Sequence, residues 1–358
     1  MLLSIKTKLK LNKSQAKVMS KHAGIARFTY NWGLATWSNL YQDGLKPNKY
    51  LLKKLFNNHV KPEFTWIKEA GICQKITQYA FDNLGDSFSL FFSKKGGYPK
   101  FKKKGHHDSF TIDAGGKPIP VGGTSIKLPT IGWVKTHEGL PHTTCKSITI
   151  SRTADSWFIA FAYEQEHEPT VKQHDAVGVD LGVKELATLS TGVVFPNPKH
   201  YKTHLNKLRK LSKELSRKVK GSSNRFKAKQ RLAKHHAKVA NLRKNTLHQI
   251  TTYLGKNHAT IVVENLNVSG LLSNHKLAQV IADCGFYEFK RQLEYKAKKF
   301  GCEIIIADRW FPSSKTCSNC GHIQDMPLKE RTYNCGSCGH SMDRDLNAAI
   351  NLSRLAKT

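Results

Sequence analysis

Ala176-Val-Gly-Val-Asp180 and Thr260-Ile-Val-Val-Glu264 are the two stretches from which the fold of the second half of the chain is read. Each is a strand-sized apolar run that ends on a carboxylate, and uninterrupted apolar residues at that length mark a buried strand. A third strand-sized run, Glu303 to Ala307, follows a predicted helix over about Phe286 to Phe300, and a last helix, about Asp343 to Leu355, opens with Asp343-Arg-Asp345. Just beyond the first strand, Glu185 to Phe195 reads as a hairpin with Thr191-Gly192 at its turn.

Between the two quoted strands, residues 201–244 hold 16 Lys/Arg against one acid, Glu214. Leu205, Leu208, Leu211, Leu215 and Val219 recur at helical spacing there. After Gly221-Ser-Ser, Leu232, Val239, Leu242, Ile250 and Tyr253 continue the pattern, which predicts a basic helical hairpin with an apolar seam. Upstream, residues 1–10 alternate Leu3, Ile5, Thr7 and Leu9 with Ser4 and lysines, as a half-buried strand does. Asn12 or Ser14 is positioned to cap a helix over about Gln15 to Tyr41, and a second helix is expected over Trp66 to Phe92. Lys94 to Lys104 then carries six lysines and no acid. Short strands are expected at 110–113, 125–128, 132–136, 147–151 and 157–163. A linker near Glu168-Pro169 precedes the second half.

The full chain of 358 residues has Lys+Arg 58 against Asp+Glu 26, a net charge of +32, which implies a polyanionic partner. With 39% hydrophobic residues it has material for cores, so a disordered basic tail is excluded. No apolar run approaches the ~18 residues of a membrane span, and Met1-Leu-Leu-Ser-Ile-Lys6 meets a lysine too early for a secretory leader. The expectation is a soluble, cytoplasmic protein.

Cys317-Ser-Asn-Cys320 and Cys335-Gly-Ser-Cys338 form two CxxC knuckles, each followed by a glycine, Gly321 and Gly339, that lets the turn close. Four thiolates suit one structural, tetrahedral Zn²⁺ and leave His322 and His340 no position. Cys73, Cys145, Cys284 and Cys302 read as ordinary thiols. Asp180, Glu264 and Asp345 are the second constellation. Each acid alone reads as a cap or a surface charge. Together, at strand ends facing a helix start, they are hard oxygen ligands of the kind that hold two Mg²⁺ for phosphodiester hydrolysis.

Val177-Gly-Val-Asp180-Leu-Gly-Val, Ile261-Val-Val-Glu264-Asn-Leu, Asp308-Arg-Trp-Phe-Pro-Ser-Ser-Lys-Thr-Cys317-Ser-Asn-Cys320-Gly and Met342-Asp-Arg-Asp345-Leu-Asn-Ala-Ala-Ile-Asn351 resemble, in that order, the TnpB (OrfB) proteins of bacterial insertion sequences. Arg27-Phe-Thr-Tyr-Asn-Trp-Gly33 and Tyr98-Pro-Lys-Phe-Lys102 extend the likeness over nearly the whole chain.

The resemblance implies a multidomain α+β protein, an RNA-guided double-stranded DNA endonuclease related to compact type V CRISPR effectors. It implies a wedge β-barrel (1–10 and 94–170) with a helical recognition insertion (11–93). It also implies an RNase H-like (RuvC) α/β nuclease domain (171–312 and 341–358, with the basic hairpin at 201–254) carrying an inserted zinc ribbon (313–340). The implied catalytic and Mg²⁺-binding residues are Asp180, Glu264 and Asp345. Two residues on a helix stand ~200° apart, so only one of Asp343 and Asp345 faces the metals. Asp345 is taken as the ligand and Asp343 as the N-cap. Arg309 either contacts the scissile phosphate or makes a surface or ribbon ion pair. Nucleic-acid contacts are assigned to Tyr30, Gln74, Gln78, Lys102, Lys103, Lys207, Arg209, Lys210, Arg217 and Lys218. Gln74 and Gln78, four apart, share a helix face. Tyr30, Asn31 and Trp32 offer groups to stack on RNA bases, with core packing the stronger reading for Trp32. The partners implied are an element-derived guide RNA and double-stranded target DNA, with a monomer bound to one RNA in a bacterial or archaeal nucleoid. The other readings are a catalytically silent RNA-guided repressor and a transposase or accessory factor.

Overall fold

The computed structural model describes residues 2–68, 72–166, 169–327 and 329–356, so Glu168 of the expected linker lies outside the described residues. The chain divides into two compact units, Met1–Gln165 and Glu166–Thr358.

In the first unit, β1 (Leu2–Lys10) follows its alternation: Thr7 and Leu9 are buried and Lys6, Lys8 and Lys10 exposed. Asn12 then starts α1 (Lys13–Gln42) with a capping box. Its side chain accepts from Gln15 N at 2.8 Å, and its own N–H donates to Gln15 Oε1 at 3.1 Å. α2 (Lys49–Leu55) runs into a π-helical turn, Phe56–Val60, and α3 spans Lys75–Phe92. The helix expected from Trp66 therefore begins only at Lys75, because Trp66 sits in a separate 3-10 turn, Thr65–Ile67. Residues 69–71 of that expected helix lie outside the described residues.

The sheet adds β2 (Ser109–Asp113), β3 (Ile119–Leu128), β4 (Gly132–Cys145), β5 (Ser147–Thr153) and β6 (Ser156–Glu164) in the order β2-β5-β6-β1-β4-β3, antiparallel throughout. Where a barrel was expected, the ladder runs from β2 to β3 with no closing pair between those edges among the described residues. β3 and β4 are longer than the strands expected at 125–128 and 132–136 because they run on through Pro120, Gly122-Gly123 and Pro141. The glycines form irregularities in the register, Pro120 lies on the edge strand, and Pro141 lies beyond Thr136, the last β4 residue paired to β1. Met19, Ile25 and Leu34 of α1, Leu84 of α3 and Ile112, Ile148 and Ile159 of the sheet share one buried cluster, so the helical stretch 11–93 has no core apart from the sheet's.

The second unit begins with β7 (His174–Asp180), β8 (Glu185–Leu189) and β9 (Val194–Pro196). The hairpin turn is where it was expected, with Gly192 at φ 85° and its N–H donating to Leu189 O. α4 (His200–Ser216) and α5 (Ser223–Asn257) form the basic hairpin. Leu208, Leu211 and Val239 are buried along its seam, whereas Val219 is 76% exposed because α4 ends before it. β10 (His258–Glu264), α6 (Val268–Ser273), α7 (Ala278–Cys284), α8 (Phe286–Phe300), β11 (Glu303–Ala307), β12 (Thr332–Asn334), β13 (Ser341–Asp343) and α9 (Arg344–Arg354) complete it.

Its five-stranded sheet has the order β11-β10-β7-β8-β9; β11, β10 and β7 are parallel and β8 and β9 antiparallel. Val177, Val179, Ile261 and Val263 pack on one face against Leu247, Ile250 and Leu254 of α5 and Phe289 and Leu293 of α8. Alternate residues face the other way, toward α9: Val262 and Ala307 share a buried cluster with Leu352. Between α5 and α8, the ammonium of Lys296, 5% exposed, donates to His248 O (2.8 Å), Thr251 Oγ1 (2.8 Å) and Thr252 Oγ1 (2.7 Å). Among the described residues, no helix is long and apolar enough to cross a membrane.

Candidate active site

Strand register explains why two distant acids meet. Val179 of β7 pairs with Val263 of β10, so one residue further on Asp180 and Glu264 stand on adjacent parallel strands, roughly 4.8 Å apart in the ladder. Side chains two apart share a face, which puts Asp180 on the face of Gly178 and Glu264 on that of Val262. That face carries α9. A Cβ on Gly178 would lie 1.9 Å from Ala349 O and 2.5 Å from Ser353 N, so the glycine is what lets the helix lie against β7.

The third acid arrives on that helix. Asp343 is the N-cap, its Oδ1 accepting from Asp345 N (2.9 Å) and Leu346 N (3.0 Å), and Asp345 follows in the first turn. Burial first, then the charges of Glu264 and Asp345, pushes the Asp180 carboxyl well above the usual carboxylate range. Burial and Asp343 raise Asp345, opposed by Arg331, whose guanidinium is 3.8 Å away. Three acids that far from each other in sequence thus share one electrostatic neighbourhood.

Glu264 also has a neutral partner that sequence reasoning missed. The Ser313 hydroxyl donates to Glu264 Oε1 at 2.5 Å. Gly178, Asn347 and Asn351 were missed likewise; they stand inside the quoted motifs, but only tertiary contacts give them roles. Arg309, exposed after β11, lines two clefts that meet at Glu264, of about 270 and about 570 Å³.

The four cysteines converge, with their Sγ atoms all within 4.8 Å of one another. Cys317 to Cys338 and Cys320 to Cys335 are 3.7 Å apart. A tetrahedron with Zn–S of about 2.3 Å has S···S edges of about 3.8 Å, so the donors fit zinc in type and spacing. The knuckles repeat one geometry: Cys317 N donates to His322 O and Gly321 N to Cys317 O, as Cys335 N does to His340 O and Gly339 N to Cys335 O. Gly321 and Gly339 have φ of 78° and 69°, the left-handed turn expected of them. The four thiols titrate as one set: the His340 backbone N–H pulls Cys338 down to about 6, while hydrogen bonds with Cys338, Cys335 and Cys317 push Cys320 up to about 11.

The expected nucleic-acid contacts divide. Tyr30 is 4% exposed, with Lys102 Nζ 4.0 Å over its ring, so it offers no face on which a base could stack. Asn31 clamps the Lys102 backbone, donating to Lys102 O (2.9 Å) and accepting from Lys102 N (2.8 Å). Trp32 packs edge-on against Phe56 and Phe81. Gln74 is exposed at the start of α3, its amide donating to Ile67 O, and Gln78 is half-buried a turn later. Lys103, Lys207, Arg209, Lys210 and Arg217 are exposed, and Lys218 is half-buried.

Comparison with known proteins agrees with the motif reading. Residues 160–275 match a family described as "Probable transposase" (OrfB), residues 286–352 a "Cas12f1-like, TNB domain", and residues 1–46 a "Helix-turn-helix domain". In this structure the last segment is a strand followed by one continuous helix. A protein of Streptomyces pristinaespiralis named "Putative RNA-guided DNA endonuclease" is 35% identical over 94% of this chain and 85% of its own length. The Escherichia coli K12 protein "Putative RNA-guided DNA endonuclease InsQ" is 31% identical over 98% of this chain and 91% of its own. Among solved structures, a Cas12f1–sgRNA–target DNA complex shares the fold at 14% identity, with a TM-score of 0.60 over 96% of this chain and 83% of that one. The chain belongs to the TnpB (OrfB) family of insertion-sequence proteins.

Proposed function

We propose that this chain is an RNA-guided DNA endonuclease of an insertion sequence, which cuts double-stranded DNA matched to an element-derived guide RNA beside a short flanking motif. One observation carries the reading: Asp180 and Glu264 stand side by side at parallel strand ends, under the helix whose first turn bears Asp345. The relatives' names support it.

The donor set suits a divalent cation. A carboxyl held above its usual range by burial and then by two neighbouring acids marks a centre short of positive charge, and carboxylate oxygens match magnesium. Asp180, Glu264 and Asp345 would hold two Mg²⁺, which when bound supply activation of water and neutralisation of charge at phosphorus. Asp343 keeps the helix start in place, and Arg309 binds the scissile phosphate. Hydrolysis adds water across the P–O3′ bond and leaves a 5′-phosphate and a 3′-hydroxyl. Cys317, Cys320, Cys335 and Cys338 would hold a structural Zn²⁺.

In this reading residues 171–312 and 341–358 are the RuvC-type nuclease domain, and three parallel strands flanked by an antiparallel pair support an RNase H-like assignment. Residues 313–340 are its zinc ribbon, residues 1–10 and 94–170 the wedge, and 11–93 the recognition helices. Lys207, Arg209, Lys210, Arg217 and Lys218 bind the guide–target backbone. Gln74, Gln78, Lys102 and Lys103 serve the flanking motif and the guide. The protein acts as a monomer with one RNA.

The test is to purify the protein with its transcript, sequence the bound RNA, and challenge the complex with a duplex matched to it. Cleavage that Asp180→Ala abolishes supports the reading; an RNA of no common origin, or cleavage that survives the substitution, overturns it.

A further inference from the structure

The loop that leads into the first zinc knuckle also touches the catalytic centre, and we infer that Ser313 is a positioning residue that fixes Glu264 for metal binding. Ser313 is 4% exposed, and its hydroxyl reaches Glu264 Oε1 at 2.5 Å. The serine is itself held from α9. Asn351 Nδ2 donates to Ser313 O (2.8 Å) and Thr316 O (2.7 Å), and Asn347 Nδ2 to Thr316 O (2.7 Å). Asn347 Oδ1 accepts from Ser318 N at 2.9 Å, and Arg354 donates to Ser318 O. Both asparagines are buried, so water does not compete for these bonds.

The helix that carries Asp345 thereby holds the loop that holds Glu264, and the same loop continues into Cys317. A glutamate side chain has several rotatable bonds, and unrestrained it samples directions useless for ligation. The serine proton engages one oxygen and leaves the remaining lone pairs of the carboxylate pointing in a set direction. Partners of this kind behind a metal ligand typically contribute about 10- to 100-fold in metal affinity or activity. Threonine can present the same hydroxyl; alanine cannot.

The inference rests on Glu264 being a metal ligand, and its test separates the two claims. Mn²⁺ binding is measured by electron paramagnetic resonance titration of the full chain, washed free of nucleic acid at high salt, for the unaltered protein, Glu264→Gln, Ser313→Ala and Ser313→Thr. The expected result is loss of tight Mn²⁺ binding in Glu264→Gln, affinity lower by about 10- to 100-fold in Ser313→Ala, and a value near that of the unaltered protein in Ser313→Thr. Unchanged affinity in Ser313→Ala alongside loss in Glu264→Gln overturns the positioning role and leaves the ligand standing. Equal loss in both serine variants overturns the role of the hydroxyl. Unchanged binding in Glu264→Gln overturns the ligand assignment itself.

Discussion

Replacing Gly178 with alanine should damage the centre without touching an acid. The added Cβ would stand 1.9 Å from Ala349 O and 2.5 Å from Ser353 N, where ordinary contact begins at 3.4 Å. Both obstacles are helix backbone, so neither can swing aside. α9 must lift from β7 by about 1.5 Å, taking Asp345 away from Asp180. Overpacking of this kind costs about 1–3 kcal/mol, which in a unit of this size lowers the melting temperature by ~2–12 °C. A shift of about 1 Å in catalytic geometry costs on the order of 100-fold in rate. Gly139→Ala is the control, because nothing lies within 4 Å of its added Cβ. The assays are calorimetric melting and single-turnover cleavage of a guide-matched duplex. If Gly178→Ala melts and cleaves like Gly139→Ala, the close approach of β7 and α9 is not what assembles the centre.

Removing zinc with a chelator, or substituting Cys335→Ser, should release the ribbon and lower the melting temperature together with bound zinc; zinc content near zero in the unaltered protein would contradict it. Burial pushes the Lys296 ammonium down to about 8 when folded, against about 10.4 when unfolded, so between those values the unfolded chain binds more protons and stability rises with pH, by up to about 3 kcal/mol. Lys296→Met should flatten that rise in urea titrations at pH 7.5 and 9.5, and an identical slope in both proteins counts against the burial argument. Reversing Lys207 and Lys210 to glutamate should weaken nucleic-acid binding across sequences and reduce the slope of log affinity against log salt by about one per lost phosphate contact. An unchanged slope would make that helix face merely solvated.

The carboxylate strands were legible because a strand's hydrophobicity is local: Val177 and Ile261 read as buried without knowledge of each other, and both are. The CxxC knuckles were legible because the turn, its glycine and both cysteines fall within five residues. Of the two caps the sequence offered, Asn12 and Ser14, Asn12 starts α1, for the same local reason. What stayed hidden depends on approach between elements far apart in sequence. Gly178 shows its role only when Ala349 is above it, and Ser313 only when Glu264 is beside it. Tyr30 misled because an aromatic ring is equally at home in a core and on a base, and only the burial of its helix face decides. The closing of β3 and β4 into one long ribbon was masked by Gly122, Gly123 and Pro141, residues that usually end strands and here sit at bulges and past the reach of β1.

In the proposed centre Asp180, Glu264 and Asp345 ligate the metals while Asp343 only caps the helix. Guided cleavage by Asp345→Asn and Asp343→Asn tests this assignment most directly, since asparagine caps helices as well as aspartate does. The expected outcome is abolished cleavage in Asp345→Asn and near-unaltered cleavage in Asp343→Asn. Activity retained in Asp345→Asn and lost in Asp343→Asn would contradict the account.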